Sequence, residues 1–196
     1  MIDPSKITNF NLDRKGLEEH AVFWVCVAGK TAKTIAKSLD SIWKEIGHDP
    51  FAAIRRVGLD NLPGILKKHG IGCYNAKARS LYELATSGLD LKKCSLKDLE
   101  SIYGIGPKTA RCFMIHTRPN ARCAGIDTHV LKFLKDLGHK VPSSTPIGKK
   151  YLEIEELFLN YVYKSGKSVA EYDLSVWNAY SSTKNPLQTL KSFNLV

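Results

Sequence analysis

Residues 99–110 have the sequence LESIYGIGPKTA, in which GIGP at residues 104–107 separates two helical stretches. A capping box at Ser95 to Asp98 predicts that the first helix begins there, because the serine hydroxyl and the acidic side chain satisfy free amides. Pro107 suits the first position of the second helix, since that position needs no amide donor. The sequence therefore predicts two helices joined by a four-residue hairpin, within about residues 95–117.

Two glycines give this hairpin the features of a phosphate-binding turn. Gly104 and Gly106 allow a close approach of the backbone, and the N-terminus of the second helix offers unpaired amides to an anion. Such a contact would be independent of nucleic-acid sequence. The alternative is an ordinary turn between two helices, without a ligand.

Lys108 lies in the first turn of the second helix, where the positive end of the helix dipole disfavours a charged ammonium. A neutral amine is a nucleophile. Asp127 follows 19 residues later, in the segment Gly125-Ile126-Asp127-Thr128-His129, at the N-cap position of another predicted helix. Each residue also has a simpler interpretation, in which Lys108 only binds a phosphate and Asp127 only caps the helix.

The hairpin and the segment 125–129 together resemble the helix-hairpin-helix and the following aspartate of the endonuclease III and 8-oxoguanine DNA glycosylase superfamily. IGCYNAKA at residues 71–78 is similar to the turn and helix that precede the hairpin in that family. The resemblance covers roughly residues 17–180. It implies a bifunctional DNA glycosylase and AP lyase, which excises a damaged base from double-stranded DNA and then cleaves the strand.

The resemblance also implies roles for individual residues. Lys108 would attack the anomeric carbon, expel the base and form a Schiff base that permits strand cleavage. Asp127, as an ionised carboxylate, would stabilise the positive charge that develops on the sugar and help the lysine to lose its proton. His129 would support the site or contact a phosphate, with a buried structural histidine as the alternative. No metal or cofactor is expected, because the amine itself does the covalent chemistry.

The C-terminal helices are similar to the end of the short archaeal-type 8-oxoguanine glycosylases. This similarity implies that Trp177 stacks on an extruded purine and that Asp173 accepts a hydrogen bond from it, with 8-oxoguanine as the favoured substrate. The alternative for Trp177 is a place in the core. Two other functions stay open. A glycosylase for oxidised pyrimidines or mismatches would keep Lys108 and Asp127, whereas a non-catalytic DNA-structure-binding module would tolerate the loss of Asp127.

Two features depart from the family pattern. Family members often carry Asn or Gln where this chain has Gly29 or Lys30, to fill the gap left by the extruded base, so recognition of the opposite base stays open. The five cysteines are odd in number, include no C-x-x-C pair and end at Cys123. This pattern argues against a disulfide framework, a cysteine-ligated zinc site and the iron–sulfur cluster of endonuclease III-like members. We expect reduced thiols, most of them buried.

Hydrophobic periodicity predicts helix after helix, with almost no alternating strand pattern, and therefore an all-α fold. From the resemblance we expect two helical lobes with a cleft that holds the flipped base. One lobe would span residues 29–120 and contain the hairpin, and the other would combine residues 1–28 with residues 121–196. The polar tail from residue 181 is expected to be loosely held.

The charge of the chain favours a polyanionic partner. The 29 Lys and Arg residues exceed the 19 Asp and Glu residues, for a net charge of +10 and a pI near 9.4. Nucleic acid is the first candidate and an anionic membrane surface the alternative. No segment approaches the roughly 18 to 20 apolar residues of a membrane span, and the N-terminus lacks a signal-peptide pattern. We expect a soluble, intracellular monomer that associates with DNA in the cytoplasm, nucleoid or nucleus.

Binding to undamaged duplex DNA should weaken steeply with salt, because phosphate contacts release counterions. Affinity measured by fluorescence anisotropy between about 50 and 200 mM salt should fall on the order of 10³-fold if about six phosphates are contacted. A nearly flat plot of log affinity against log salt would contradict this electrostatic prediction.

Overall fold

The structure, a computed structural model, describes residues 2–193 and 195. All regular secondary structure in this part of the chain is helical, which confirms the predicted all-α fold. None of the described helices combines the length and apolar character that crossing a bilayer requires. After a 3-10 helix at Pro4–Lys6, the helices are α1 (Arg14–Val27), α2 (Ala32–Ile46), α3 (Pro50–Val57), α4 (Leu62–Lys68), α5 (Tyr74–Thr86), α6 (Leu96–Glu100), α7 (Pro107–Thr117), α8 (Thr128–Asp136), α9 (Gly148–Ser165), α10 (Val169–Ser182) and α11 (Pro186–Ser192).

Local sequence signals set the ends of the helices around the hairpin. The Ser95 side chain accepts a hydrogen bond from the amide of Asp98, and the Asp98 side chain accepts one from the amide of Ser95. The predicted capping box at the start of α6 is therefore confirmed. Pro107 occupies the first position of α7, also as predicted.

Two hydrophobic clusters form the core. The first contains buried side chains between Ile2 and Phe113, from α1 to α7, and the second contains side chains between Ile115 and Leu195, from α7 to α11. Helix α7, which begins at the hairpin, therefore lies at the junction of the two clusters. The five cysteines are free thiols, four of them buried as expected and Cys73 exposed.

The first hydrophobic cluster groups α1 with the helices that follow it, while the lobe boundaries implied by the resemblance stay a prediction. The sequence prediction groups residues 1–28 with the C-terminal residues, whereas Leu17, Phe23 and Cys26 are buried in the first cluster. Helix α1 packs against α2, α3, α5 and α7. The strongly apolar sequence of α1 predicts that the helix is buried, but it does not specify its neighbours.

Residues 186–192 of the C-terminal tail form a helix, where the sequence prediction has a loosely held segment. This helix is α11, and both Leu190 and Leu195 are buried in the second cluster. The Tyr172 hydroxyl also donates to the Leu195 carbonyl oxygen at 2.6 Å. The prediction was wrong because two leucines in a polar sequence give little periodic signal, although burying them favours docking of the tail.

Candidate active site

The hairpin is held by close packing against α5. Gly104 has a φ of 76°, and a Cβ atom there would lie 2.3 Å from Ser80 Oγ, so a side chain at this position would be strained and would clash. Glu83 Oε1 accepts a hydrogen bond from the backbone N–H of Tyr103 at 3.0 Å. Arg79 lies over the Tyr103 ring, 3.9 Å from its centroid. Helix α5 thus fixes the position of the hairpin.

The N-terminus of α7 has the form that an anion-binding helix end requires. Gly106 is the N-cap, and it offers no side chain to the first amides. A Cβ atom at Gly106 would meet no described atom within 4 Å, so the backbone there is open to a ligand. Lys108, at the second position of the helix, is half-buried. Open amides, the helix dipole and a lysine therefore occur together at this end.

One face of α7 carries three side chains of the candidate site. Lys108, Cys112 and His116 are spaced four residues apart and therefore share a side of the helix. Cys112 and His116 are buried. Burial raises the pKa of the Cys112 thiol, so the thiol stays protonated and unreactive. Lys108 is left as the candidate nucleophile of this face.

Gly125 allows the segment that leads to Asp127 to lie directly on this face. A Cβ atom at Gly125 would be 2.3 Å from Cys112 Sγ and 3.5 Å from the backbone oxygen of Lys108. A residue without a side chain is needed for this approach. Asp127 is two residues further on, and the charge of Lys108 acts on its carboxyl group. The structure thus places the backbone that leads to Asp127 against the backbone of Lys108.

Side chains of α7 and α9 hold the same segment in place. The buried Glu155 carboxylate lies 2.6 Å from Arg111 Nε through Oε1, which also accepts the backbone N–H of Ala124 at 2.8 Å. The Tyr151 hydroxyl donates to the Ala124 oxygen and accepts from the Ile126 N–H, both at 2.9 Å. This irregular segment therefore obtains from side chains the hydrogen bonds that its buried backbone needs.

Asp127 is both the N-cap of α8 and a charged group of the site. Its Oδ1 accepts from the backbone N–H groups of His129 at 2.8 Å and Val130 at 3.0 Å, which confirms the predicted cap. Its Oδ2 lies 3.1 Å from His129 Nδ1. Burial works to raise the pKa of Asp127, but the hydrogen bonds and the Lys108 charge outweigh burial and hold this pKa below its ordinary value. The carboxylate therefore stays ionised at neutral pH.

The pKa of Asp173, on α10, is shifted in the opposite direction from that of Asp127. Burial raises its pKa, although the contact with His116 opposes this effect. Asp173 Oδ2 lies 3.3 Å from His116 Nε2. His116 Nδ1 lies 2.8 Å from Thr8 Oγ1, and the imidazole stacks on Trp24 with 5.3 Å between ring centroids. Asp173, His116 and Thr8 thus form a mostly buried series of polar contacts. His116, its central member, lies two helical turns beyond Lys108.

Trp177 follows one turn after Asp173 on α10. It is partly exposed and makes an edge-to-face contact with His129, with 6.3 Å between ring centroids. The His129 side chain is 25% exposed. Neither residue is fully enclosed in the core, so both can be reached by a ligand.

The turn at Gly29 and Lys30, expected near the gap left by an extruded base, lies beside a second turn. A Cβ atom at Gly72 would be 2.6 Å from Lys30 Cε, so the turn after α1 touches the turn before α5. Lys77 Nζ donates to the carbonyl oxygens of Cys26 at 2.6 Å and Ala28 at 3.0 Å. Lys77 therefore fixes the end of α1 from which the first turn begins.

His116, Thr8 and Trp24 are not predicted as site residues from the sequence. A signal exists for His116, because it follows Lys108 by two turns on one helix face. Thr8 and Trp24 give no comparable signal, since they reach the site only through tertiary packing.

Comparisons with known proteins agree on the fold. No model of a protein family matches the chain. The chain is similar to the 8-oxoguanine DNA glycosylase of Thermotoga maritima, with a TM-score of 0.69 and 25% identity over 86% of this chain and 81% of that one. It is also similar to the 8-oxoguanine DNA glycosylase of Methanocaldococcus jannaschii, with a TM-score of 0.70 and 22% identity over 91% and 84% of the two chains.

A further similar structure is the 8-oxoguanine glycosylase/lyase of Methanocaldococcus jannaschii in complex with a 15-mer DNA that contains 8-oxoguanine. The TM-score is 0.68, with 22% identity over 89% of this chain and 86% of that one. These likenesses confirm the helix-hairpin-helix glycosylase fold that the sequence motif predicts.

Gly125→Ala should destabilise the protein, because the new methyl group would overlap Cys112 Sγ. We expect a loss of about 1–3 kcal/mol in the free energy of unfolding, the usual cost of overpacking a core. Denaturant unfolding measures this loss. Adding Cys112→Ala removes the overlapped sulfur, so the double variant should lose less stability than the two single variants combined. Simple additivity would show that the two residues do not compete for space.

Proposed function

We propose that this chain is a bifunctional DNA glycosylase and AP lyase that excises an oxidised base, with 8-oxoguanine favoured, through a Schiff base on Lys108. The observation that carries the proposal is the packing of Gly125, in the segment that leads to Asp127, against the backbone of Lys108 at the open end of the hairpin helix. The similarity to the 8-oxoguanine glycosylases of two organisms supports the reaction and the substrate class.

Duplex DNA that contains the damaged base is the proposed partner. The hairpin at Gly104 and Gly106 would bind a backbone phosphate through the amides at the start of α7, and Lys108 and His129 would add cationic or donor groups. A similar structure has bound DNA with the lesion, which supports this partner. A DNA-associated location follows from the proposal, while the compartment and the monomeric state stay predictions.

Base removal and strand cleavage need a nucleophile and a fixed negative charge. Lys108 would first lose a proton, which Asp127 would help to remove, and its neutral amine would then form a bond to the anomeric carbon while the glycosidic bond breaks. The bonding electrons would leave with the base, which would take up the proton that the new C–N linkage sheds. Asp127 would stabilise the positive charge on the sugar during this step. Opening of the sugar ring then gives the Schiff base. Loss of a proton from the neighbouring sugar carbon would break the bond to the 3′ phosphate.

Recognition of the base would use the other end of the α7 face. Lys108 and His116 are eight residues apart, or about 12 Å along the helix, so a base attached near Lys108 would extend towards Asp173. Compared with guanine, 8-oxoguanine carries an added hydrogen on N7 and an oxygen on C8. An acceptor such as Asp173 that ordinary guanine leaves unpaired would favour the lesion by about 1–3 kcal/mol. Trp177 would stack on the extruded ring.

Lys108→Gln should abolish covalent trapping and strand cleavage, because no amine remains to form the Schiff base. The measurement is borohydride trapping on duplexes that carry 8-oxoguanine, thymine glycol or a mismatched thymine. Lys150→Gln is a matched control, since Lys150 lies on the surface of α9 in an ion pair with Glu153. It should trap like the wild type. Full trapping by Lys108→Gln would move the nucleophile elsewhere, with Lys30 as the next candidate.

Asp127→Asn should bind lesion DNA with little change but excise the base on the order of 10² more slowly, because the stabilising charge is lost. Asparagine is also a good N-cap, so α8 should keep its start. Single-turnover excision and unfolding midpoints separate the two effects. Unchanged excision by this variant would contradict the role of the Asp127 charge, whereas absence of excision by the wild type would favour the non-catalytic DNA-binding module.

Trp177→Ala should reduce 8-oxoguanine excision far more than binding to an abasic site, because only the former needs a surface for stacking on the base. Single-turnover rates and anisotropy measure the two quantities. Faster release of thymine glycol or mismatched thymine than of 8-oxoguanine by the wild type would contradict the purine assignment, while the Lys108 and Asp127 mechanism would survive.

A further inference from the structure

The segment before α1 is fixed to the buried histidine of α7. The Asn9 backbone N–H donates to the carbonyl oxygen of His116 at 2.9 Å, and Thr8 Oγ1 lies 2.8 Å from His116 Nδ1. On its other side, the Ile7 carbonyl oxygen lies 3.0 Å from His20 Nε2. These contacts hold residues 7–9 against both α1 and α7, although the segment is more than 100 positions from His116 in the chain.

His116 connects this segment to the candidate base site. Its side chain is 1% exposed, and its second ring nitrogen, Nε2, lies 3.3 Å from Asp173 Oδ2. The parallel stack on Trp24, with 8° between the ring planes, restricts rotation of the imidazole. Both nitrogens of a fixed, buried ring therefore have polar neighbours, Thr8 on one side and Asp173 on the other.

The positions of the hydrogen atoms between Thr8, His116 and Asp173 follow from which groups can donate and which can accept. When Asp173 is ionised, its carboxylate only accepts hydrogen bonds, so His116 Nε2 carries the hydrogen between the two groups. In a neutral imidazole, Nδ1 is then an acceptor, and the Thr8 hydroxyl is the group that donates to it. Removing the hydroxyl would leave Nδ1, a buried acceptor, unpaired and would remove one of the two groups that favour the tautomer donating to Asp173.

We propose that Thr8 is a positioning residue for base recognition: it fixes the tautomer of His116 and thereby holds Asp173 as an acceptor for a ring N–H of the extruded base. This inference rests on the proposed function. The ligand class is an oxidised purine with a hydrogen on a ring nitrogen that the undamaged base leaves unprotonated. Thr8 acts through His116 and Asp173 and has no part in the chemistry at Lys108.

Thr8→Val keeps the shape of the side chain and removes its hydroxyl. Single-turnover excision of 8-oxoguanine should fall about tenfold, the effect of about 1.4 kcal/mol from one unpaired buried group. Borohydride trapping on a duplex with a preformed abasic site should stay at the wild-type level, because no base is recognised there. Thr8→Ser restores the hydroxyl and should recover excision. Asn11→Ala, an exposed change in the same segment, is the matched control.

A double-variant cycle separates positioning from a general structural role. In an Asp173→Asn background, Thr8→Val should cause no further loss of excision, because both changes act on one acceptor. The nitrogen chemical shifts of His116 should report hydrogen on Nε2 in the wild type and in Thr8→Ser, and a changed distribution in Thr8→Val. This measurement needs no enzymatic activity.

Three results would overturn the inference: wild-type excision by Thr8→Val, an equal loss of excision and abasic-site trapping, or independent effects of Thr8→Val and Asp173→Asn. The proposed function fails by a different result, in which the wild type itself is not trapped on abasic or 8-oxoguanine DNA. If the wild type is trapped and Thr8→Val excises 8-oxoguanine like the wild type, the role of Thr8 is rejected while the proposed function stands.

Discussion

The buried ion pair between Arg111 and Glu155 is the contact on which the arrangement of the site depends. It joins α7 to α9, and the same Glu155 oxygen accepts the backbone N–H of Ala124, at the start of the segment that carries Asp127. Removing the Arg111 guanidinium would leave the buried Glu155 carboxylate without a cation, at a cost of about 3–5 kcal/mol. Removing the Glu155 carboxylate would leave the Ala124 N–H without its acceptor, while Arg111 would keep its ion pair with Glu100. The close approach of Gly125 to Cys112 is possible because the segment is already held there.

The same packing shifts the pKa values of two aspartates, Asp127 and Asp173, in opposite directions. Burial acts on both, but for Asp127 the hydrogen bonds to the start of α8, the His129 contact and the Lys108 charge outweigh it and lower the pKa. For Asp173, burial dominates over the contact with His116 and raises the pKa. Carboxyl groups whose environments separate their pKa values are suited to different tasks. Asp127 therefore stays ionised, whereas the buried Asp173 carboxyl depends on a hydrogen-bond donor, here His116 Nε2, to favour its charged form.

The parts of the molecule that follow local rules are predictable from the sequence, and the parts set by tertiary packing are not. The hairpin, the Ser95 capping box and the Asp127 cap each depend on residues within a few positions of one another, so their signals are visible in the chain. Helix α1 is buried in the first cluster, and Leu190 of the tail is buried in the second. Both placements depend on contacts between helices that are distant in the sequence. The link from Thr8 to His116 has no local signal for the same reason.

In the proposed function, helix α7 links the chemistry to the recognition of the base, because this one element carries Lys108 and His116 at different levels. Its open N-terminus and Lys108 lie at one level, and His116, with Asp173, lies two turns further along. Since the rise of a helix fixes this separation at about 12 Å, a change at the His116 level can alter the base that is accepted without moving the nucleophile. A shift of the segment 124–127 would instead affect the nucleophile's partner and leave the acceptor in place. In the proposed function, selectivity and catalysis would therefore be separated along a single helix.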